Sequence, residues 1–468
     1  MTGEKQKLSF GLALFVLLGT AGIMCISIIF WGLDAHIPLL LSIVLVAIIG
    51  LRKGYTWKDI QEGIAAGIND AVEPVIILAL VGLIIGTWIL SGTVPTIIYY
   101  GLKMMSPQFF LVTAAIICAI VSTMTGSAWG TAGTVGIAFM GIGQGLGLPD
   151  PMVAGAILTG AYFGDKMSPM SDTTILASAI VRADIWDHIR SMFWTTIPGL
   201  SIALIAYGFL GFKYAGASAM NVENIELILN GISGQFHINI ILLIPAILVI
   251  VLAVNKKPAI PTLLGSALLA GILAMIFQKG VTVKNVLYAM HYGYQSETGI
   301  EIIDKLLTKG GLNSMMWSIS LILVALSFGG VLQKLEVMDA IIEKLLKYIR
   351  TVGSLVASNI IMCFLGNMMM GTQYMGIIIP GKMFQSTYKE MGIQPRVQSR
   401  ILEDSATLTD CLIPWTIGAS FFSATLGVST LQYAPYVIMN YSVPIISIIY
   451  GFTGIAIFKL KDAEAKAK

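Results

Sequence analysis

The chain has 468 residues, 56% of them hydrophobic and only 11% charged, with a mean hydropathy of +0.85. Water-soluble domains carry about 25% charged residues, so a soluble enzyme is excluded, and a chain this apolar has too much to bury to stay disordered. A net charge of +3 spread along the sequence implies no nucleic-acid surface, and Cys25, Cys118, Cys363 and Cys411 all lie in apolar stretches as free thiols.

About 20 apolar residues cross a bilayer. By that ruler clear spans fall near residues 8–31, 37–51, 72–91 and 191–212, then 238–254, 259–278, 314–333 and 436–458. Lys5 and Lys7 precede the first, which is too long for a signal-peptide core and lacks a cleavage site. Residues 107–181 and 351–433 are too long for one helix and too rich in Gly, Pro, Ser and Thr for two ordinary ones. Each divides into a hairpin and a helix interrupted by charges: hairpin 107–147 with broken helix 150–181, and hairpin 351–390 with broken helix 396–420. The expected fold is an all-α polytopic membrane protein with about ten transmembrane helices and two re-entrant hairpins. Lys58–Ile68 and Asp339–Tyr348 read as amphipathic helices at the inner interface, and Gly141, Gly143, Gly145 and Gly147 as a flexible hairpin end. The four histidines read as interfacial.

Lys and Arg in short loops (Lys53, Arg182, Arg190, Lys256, Lys257, Lys344, Arg350, Lys459) place both termini in the cytoplasm. The chain also repeats itself. Leu78, Leu80, Val81, Leu83 and Gly86 recur as Leu321, Leu323, Val324, Leu326 and Gly329 at an offset of 243. Cys118, Met124, Gly126, Gly136 and Phe139 recur at 245, and Asp165, Ser171 and Asp172 meet Glu403, Thr409 and Asp410 at 238. With an odd number of crossings each, two such halves have inverted topology, the signature of alternating-access carriers. The divisions are residues 1–213, a 214–236 extracytoplasmic linker, 237–460 and a 461–468 cytoplasmic tail.

Asp165, Lys166 and Asp172 sit midway along one broken helix, and Glu403, Asp404 and Asp410 along the other. Each ionisable group there costs roughly 2.5 to 3.5 kcal/mol. Hard cations take oxygen ligands, which Ser168, Ser171, Thr173, Ser405, Thr407 and Thr409 supply beside the carboxylates. Sodium suits that mixture, and protons would compete for the same acids. The competing reading is that these groups only pair with one another, as Lys166 with a neighbouring carboxylate. The hairpin tips, Thr125-Gly126-Ser127 and Gly371-Thr372-Gln373, offer hydroxyls and helix N-termini to an anion such as a carboxylate, or close helix packing. Glu73-Pro74 reads as the entry of a span or as a participant in ion access. No cofactor is expected beyond transported Na+ and H+. No nucleophile, metal constellation or nucleotide motif supports an enzyme or a primary pump.

GAYFGDKMSPMSDTTILAS (Gly160 to Ser178) and RILEDSATLTDCLIPW (Arg400 to Trp415) resemble the signature regions of the NhaC family of sodium/proton antiporters, over nearly the whole chain. The resemblance implies scaffold helices holding hairpins and broken helices. It carries the ion-binding or proton-carrying role to Asp165, Ser168, Ser171, Asp172 and Thr173, and to Glu403, Asp404, Ser405 and Thr407. Asp410 departs from the pattern, being acidic where an uncharged residue is expected. Within the family the sequence is most similar to members that take up malate with protons in exchange for lactate with sodium; plain Na+/H+ antiport is the alternative. An organic anion would need positive potential, for which Lys166, Arg400, Lys382 and the hairpin N-termini are candidates. The setting implied is a bacterial cytoplasmic membrane, with a homodimer left open.

Overall fold

The computed structural model describes residues 6–217 and 222–460; the expected tail 461–468 and Lys5 lie outside them. The first half contains α1 (Phe10–Cys25), α2 (His36–Arg52), α3 (Trp57–Leu90), α4 (Thr93–Met104) and α5 (Pro107–Thr125). It continues with α6 (Ala128–Thr131), α7 (Ile137–Gly145), α8 (Asp150–Met167), α9 (Asp172–Ile180) and α10 (Ile185–Ala217). The second half opens with α11 (Val222–Gln235), α12 (Ile244–Val254), α13 (Ala259–Phe277), α14 (Val283–Tyr292), α15 (Glu301–Leu307), α16 (Leu312–Lys334) and α17 (Val337–Leu346). There follow α18 (Val352–Met370), α19 (Gln373–Glu390), α20 (Pro395–Leu402), α21 (Leu408–Asp410), α22 (Ile417–Leu426), α23 (Thr430–Tyr433) and α24 (Ile438–Thr453). Among the described residues, β structure is confined to two isolated bridges.

Seven of these helices are long and apolar enough to cross a membrane, or up to nine if each of two bent pairs is one span. About ten were expected. Part of the difference is α2, whose 17 residues make it one of the shorter apolar helices. Another part is the stretch near 238–254, which bends by 96° against α11. The first arms of both hairpins, α5 and α18, are 19 residues each, or about 28 Å at 1.5 Å per residue, close to the hydrocarbon thickness.

The bundle is organised around α3 and α16. Of their most apolar windows 61% and 67% is buried, against 28% for the α1 span and 33% for α10, which therefore face outward. Small residues allow the close approach: a β-carbon on Gly67 would run into the Leu326 carbonyl. One face of α16 (Met315, Ile322, Leu326) enters the core built on α3, α5 and α8, and the other (Leu321, Ala325, Phe328) enters the core built on α1, α2 and α17–α19. Lys334 closes the pair with a 2.8 Å ion pair to Glu62.

Two local expectations change. Lys58–Ile68 is no separate interfacial helix but the start of α3, which a Thr56–Asp59 capping box initiates and which runs 34 residues through Pro74. A proline removes one hydrogen bond, and packing against α16 and α13 keeps the helix continuous. The 214–236 stretch carries α11, packed on α4 and α15. Gly141, Gly143 and Gly145 are no flexible end: they lie in α7, buried against Ile98, Val153 and Leu102. The second amphipathic segment is α17, a helix of its own.

The loop before α15 is fastened by Asp304, whose carboxylate accepts from the Ser296 hydroxyl at 2.8 Å, the Thr298 hydroxyl at 2.7 Å, and the N–H groups of Thr298 at 2.8 Å and Gly299 at 3.0 Å. The Thr298 hydroxyl bond is the largest cause holding this carboxyl below its usual range. A depressed acid stabilises above its unfolded value, near pH 4, and the effect is lost as pH falls through the folded value. Asp304→Ala is therefore expected to speed hydrogen exchange of the Thr298 and Gly299 amides roughly tenfold at neutral pH, with little difference from wild type in strong acid.

Candidate functional site

Each hairpin turns on a glycine in the left-handed region, Gly126 at φ 67° and Gly371 at φ 70°, where a side chain would be strained. The next residue is extended at both tips and caps the returning helix: Ser127 accepts from the Gly130 N–H at 3.0 Å, and Thr372 from the Tyr374 N–H at 3.3 Å. The 245-residue spacing thus relates two turns of the same local geometry.

The tips meet the breaks. The first break, between α8 and α9, is the segment Ser168–Ser171 with Pro169 in it, and Gly126 lies directly against the Met170 carbonyl. The second begins with a π turn, Glu403–Thr407, and ends in an irregular stretch after Asp410 before α22. The Ile417 N–H donates to the Gly371 carbonyl at 2.8 Å. Asn367, on the helix leading to the second tip, donates to the Ala406 carbonyl at 2.6 Å and to Thr409 Oγ1 at 3.1 Å. Tyr374 joins the halves by donating to Asp172 Oδ2.

Where they meet is a cavity of about 630 Å³ lined by Gly126, Ser127, Thr372, Gln373, Asp165 and Asp172, and by Asp70 and Glu73 of α3. A second cavity of about 390 Å³ adjoins it, sharing Ser127, Trp129 and Met170 and adding Thr125, Lys256 and Lys257. Trp129 of the first tip stacks on Phe421 of α22, ring centroids 4.7 Å apart, and both line this second space.

The charged residues separate into two groups. Lys166 and Asp404 form a fully buried ion pair linking the two broken helices. Asp404 also accepts from Thr195 at 3.0 Å and from Ser447, and stands 3.8 Å from Arg400. Arg400 is itself buried, donating to the Ala456 carbonyl at 3.0 Å and to Ser191 at 3.3 Å. Lys166, Asp404 and Arg400 line neither cavity. Lys382 lines a separate basic cavity with Arg182 and Lys389. Next to the buried network lies His188, fully buried with both ring nitrogens unpartnered, contrary to the expected interfacial placement. It sits in the first turns of α10, whose neighbours cover it.

The second group is incompletely satisfied, with the Ser171 hydroxyl close to Asp165 and the Thr173 and Thr407 hydroxyls close to Glu403. Asp165 Oδ1, both oxygens of Glu403 and Thr407 Oγ1 are buried and make no hydrogen bond. The neighbours of Glu403 are Thr173, Thr407 and Lys166, while Asp165 lies within reach of the charges of Asp172 and Glu403 and of the Ala128 N–H. Native proteins satisfy nearly all buried polar groups, so this set stands out as acids buried without full compensation. Other expected ligands are already engaged. Ser405 bonds back to the Ile401 carbonyl at 2.5 Å and Thr409 to the Ser405 carbonyl at 2.7 Å, Ser168 caps Met170, and Ser171 pairs with Thr173 at 3.0 Å. Asp410 stands apart: it ends α21, both its oxygens are also without a hydrogen bond, and its carboxylate lies against Gly418 near the start of α22, where only glycine leaves room for it. Among the described residues no three His, Cys, Asp or Glu side chains stand together as a metal-binding group.

Residues 160–455, which contain both breaks and the second tip, match the sequence profile of a family described as the Na+/H+ antiporter family. The chain belongs to the Na+/H+ antiporter family. Its similarity to an Alkalihalophilus pseudofirmus protein named Na+/H+ antiporter NhaC is 38% identity, covering 99% of both chains. It is 40% identical to a Bacillus subtilis malate-2H+/Na+-lactate antiporter over 94% of each chain. An arginine/ornithine antiporter of Halobacterium salinarum is 35% identical, covering 98% of this chain and 95% of its own. The relatives are antiporters, and the protein is a multi-pass membrane transporter rather than an enzyme. Tyr374 and Asn367, which tie tip to break, were missed in the sequence. A polar Asn inside an apolar helix is the signal that marks Asn367, while Tyr374 carries none.

Proposed function

We propose that this protein is a cytoplasmic-membrane antiporter that passes sodium and protons in opposite directions through the cavity between the two breaks. The observation that carries this reading is the unpartnered buried set Asp165, Glu403 and Thr407 beside the cavity-facing Asp172. A carboxylate in such a place is neutralised either by a cation or by a proton, and the two occupants exclude each other. Alternating access follows if the halves are inverted repeats rocking about this point, with both termini in the cytoplasm.

The finer reading is exchange of malate, entering with protons, for lactate, leaving with sodium. The acidic cavity has no lysine or arginine in its lining, but the adjoining one combines Lys256 and Lys257 with the Thr125 and Ser127 hydroxyls in a space of about 390 Å³, within the range of small-ligand pockets. The relative named for malate and lactate supports the same assignment. Plain Na+/H+ antiport is the second reading, favoured by the all-acidic charge of the larger cavity. Labelled malate uptake into lactate-loaded proteoliposomes separates them. Exchange that requires both organic acids is expected; sodium-driven proton movement with no malate uptake establishes the plain antiporter.

A further inference from the structure

Asp70 and Glu73 are left unused by the transport set, although they stand in the same cavity wall. They lie three residues apart on α3, hence on one face. Both side chains are exposed, in a stretch of α3 where Ile68, Asn69, Val72 and Ile76 are exposed as well. Their position is about 20 Å along the helix from its start at Trp57. Pro74 follows, and having no N–H it leaves the Asp70 carbonyl without its i+4 donor. One turn of helix therefore offers two carboxylates and a carbonyl oxygen lacking its helical donor, all oxygen ligands of the kind hard cations take.

The surroundings point the same way. The lining contains Asp70, Glu73, Asp165 and Asp172 and no basic side chain. Asp165 is 4% exposed with Oδ1 unpartnered, and Gln373, in the same lining, is 5% exposed with Oε1 unpartnered. Charge of one sign between low-dielectric walls concentrates counter-ions. We propose that Asp70 and Glu73 form a cation-recruiting subsite on the scaffold helix, which draws sodium into the cavity and passes it to Asp165 and Asp172. The subsite rests on the antiport reading and deepens it: the pair acts on arrival of the ion, and the break carboxylates act on its exchange for protons.

The test uses the full-length protein in proteoliposomes, following collapse of an imposed proton gradient on addition of sodium, at low and high choline chloride. The double variant D70N/E73Q is expected to raise the apparent KM for sodium about three- to tenfold while Vmax stays within about twofold. It should also lose the rise of KM with ionic strength that wild type shows. The single variants D70N and E73Q carry the same test with shifts of about two- to threefold, should the double variant fail to reach the membrane, and D70E/E73D should restore the wild-type KM. An unchanged KM and salt dependence in an active protein overturns the subsite alone. A collapse of Vmax at unchanged KM also overturns it, because the pair would then act in the exchange step. A wild type that moves no protons on sodium addition overturns the antiport reading and the subsite with it.

Discussion

Lys166→Met is expected to destabilise the protein by about 3 to 5 kcal/mol, the scale for stranding one partner of a buried ion pair. Asp404 is wholly buried, so without Lys166 its charge would be left to Thr195, Ser447 and an Arg400 3.8 Å away. Asp404→Asn should do comparable damage by stranding Lys166, whose only ion-pair partner among the described residues is Asp404. The double variant K166M/D404N removes both charges together and is expected to recover at least about half of the loss, since a buried pair adds little net stability over a neutral replacement. Thermal melting of the detergent-purified protein followed by size-exclusion chromatography reads this out. A double variant no better than the singles would show that the network is held by Arg400 and not by the pair.

Asp172→Asn is the complementary case, with a large effect on transport and a small one on stability. Asp172 faces the cavity, and its bond to another element is the one from Tyr374, which an asparagine oxygen can still accept. The side chain can then neither carry a proton nor offer a full charge to sodium. Sodium-dependent exchange is expected to fall by at least about a hundredfold in protein that melts and elutes like wild type. Tyr374→Phe, which keeps the acid and removes only the bond between the halves, should cost far less. Comparable loss in both variants would assign the role to the cross-half contact instead of to the acid.

The contrast between Glu403 and Asp404 marks how far the sequence could be read. Composition, the 245-residue spacing of Gly126 and Gly371, and acids in the middle of apolar helices together located the tips and the breaks. Adjacent residues, however, point about 100° apart on a helix, and a π turn alters the rotation further. Which of Glu403 and Asp404 finds Lys166, and which is left unpartnered, depends on packing between helices 238 residues apart, and no local pattern carries that. Lys166 and Arg400 were candidates for holding an anion because an organic anion would need positive potential; in the structure both are engaged by the Asp404 network instead. The continuity of α3 was hidden for a different reason. Glu73-Pro74 has the chemistry of a helix start, and only the packing of α16 and α13 along both sides of it keeps the turn helical. His188 was misplaced because its position in the first turns of α10 resembles a membrane edge, while the broken helices cover it.

In the proposed mechanism one buried set of carboxylates takes sodium and protons by turns. The most direct test is the pH dependence of the apparent KM for sodium in proteoliposomes, wild type against Glu403→Gln. Competition for shared acids predicts that the wild-type KM rises as pH falls, and that the variant, with one acid made permanently neutral, loses most of that dependence. A sodium KM that stays flat with pH in a wild type still coupling sodium to protons would contradict the account, because the two ions would then be using separate sites.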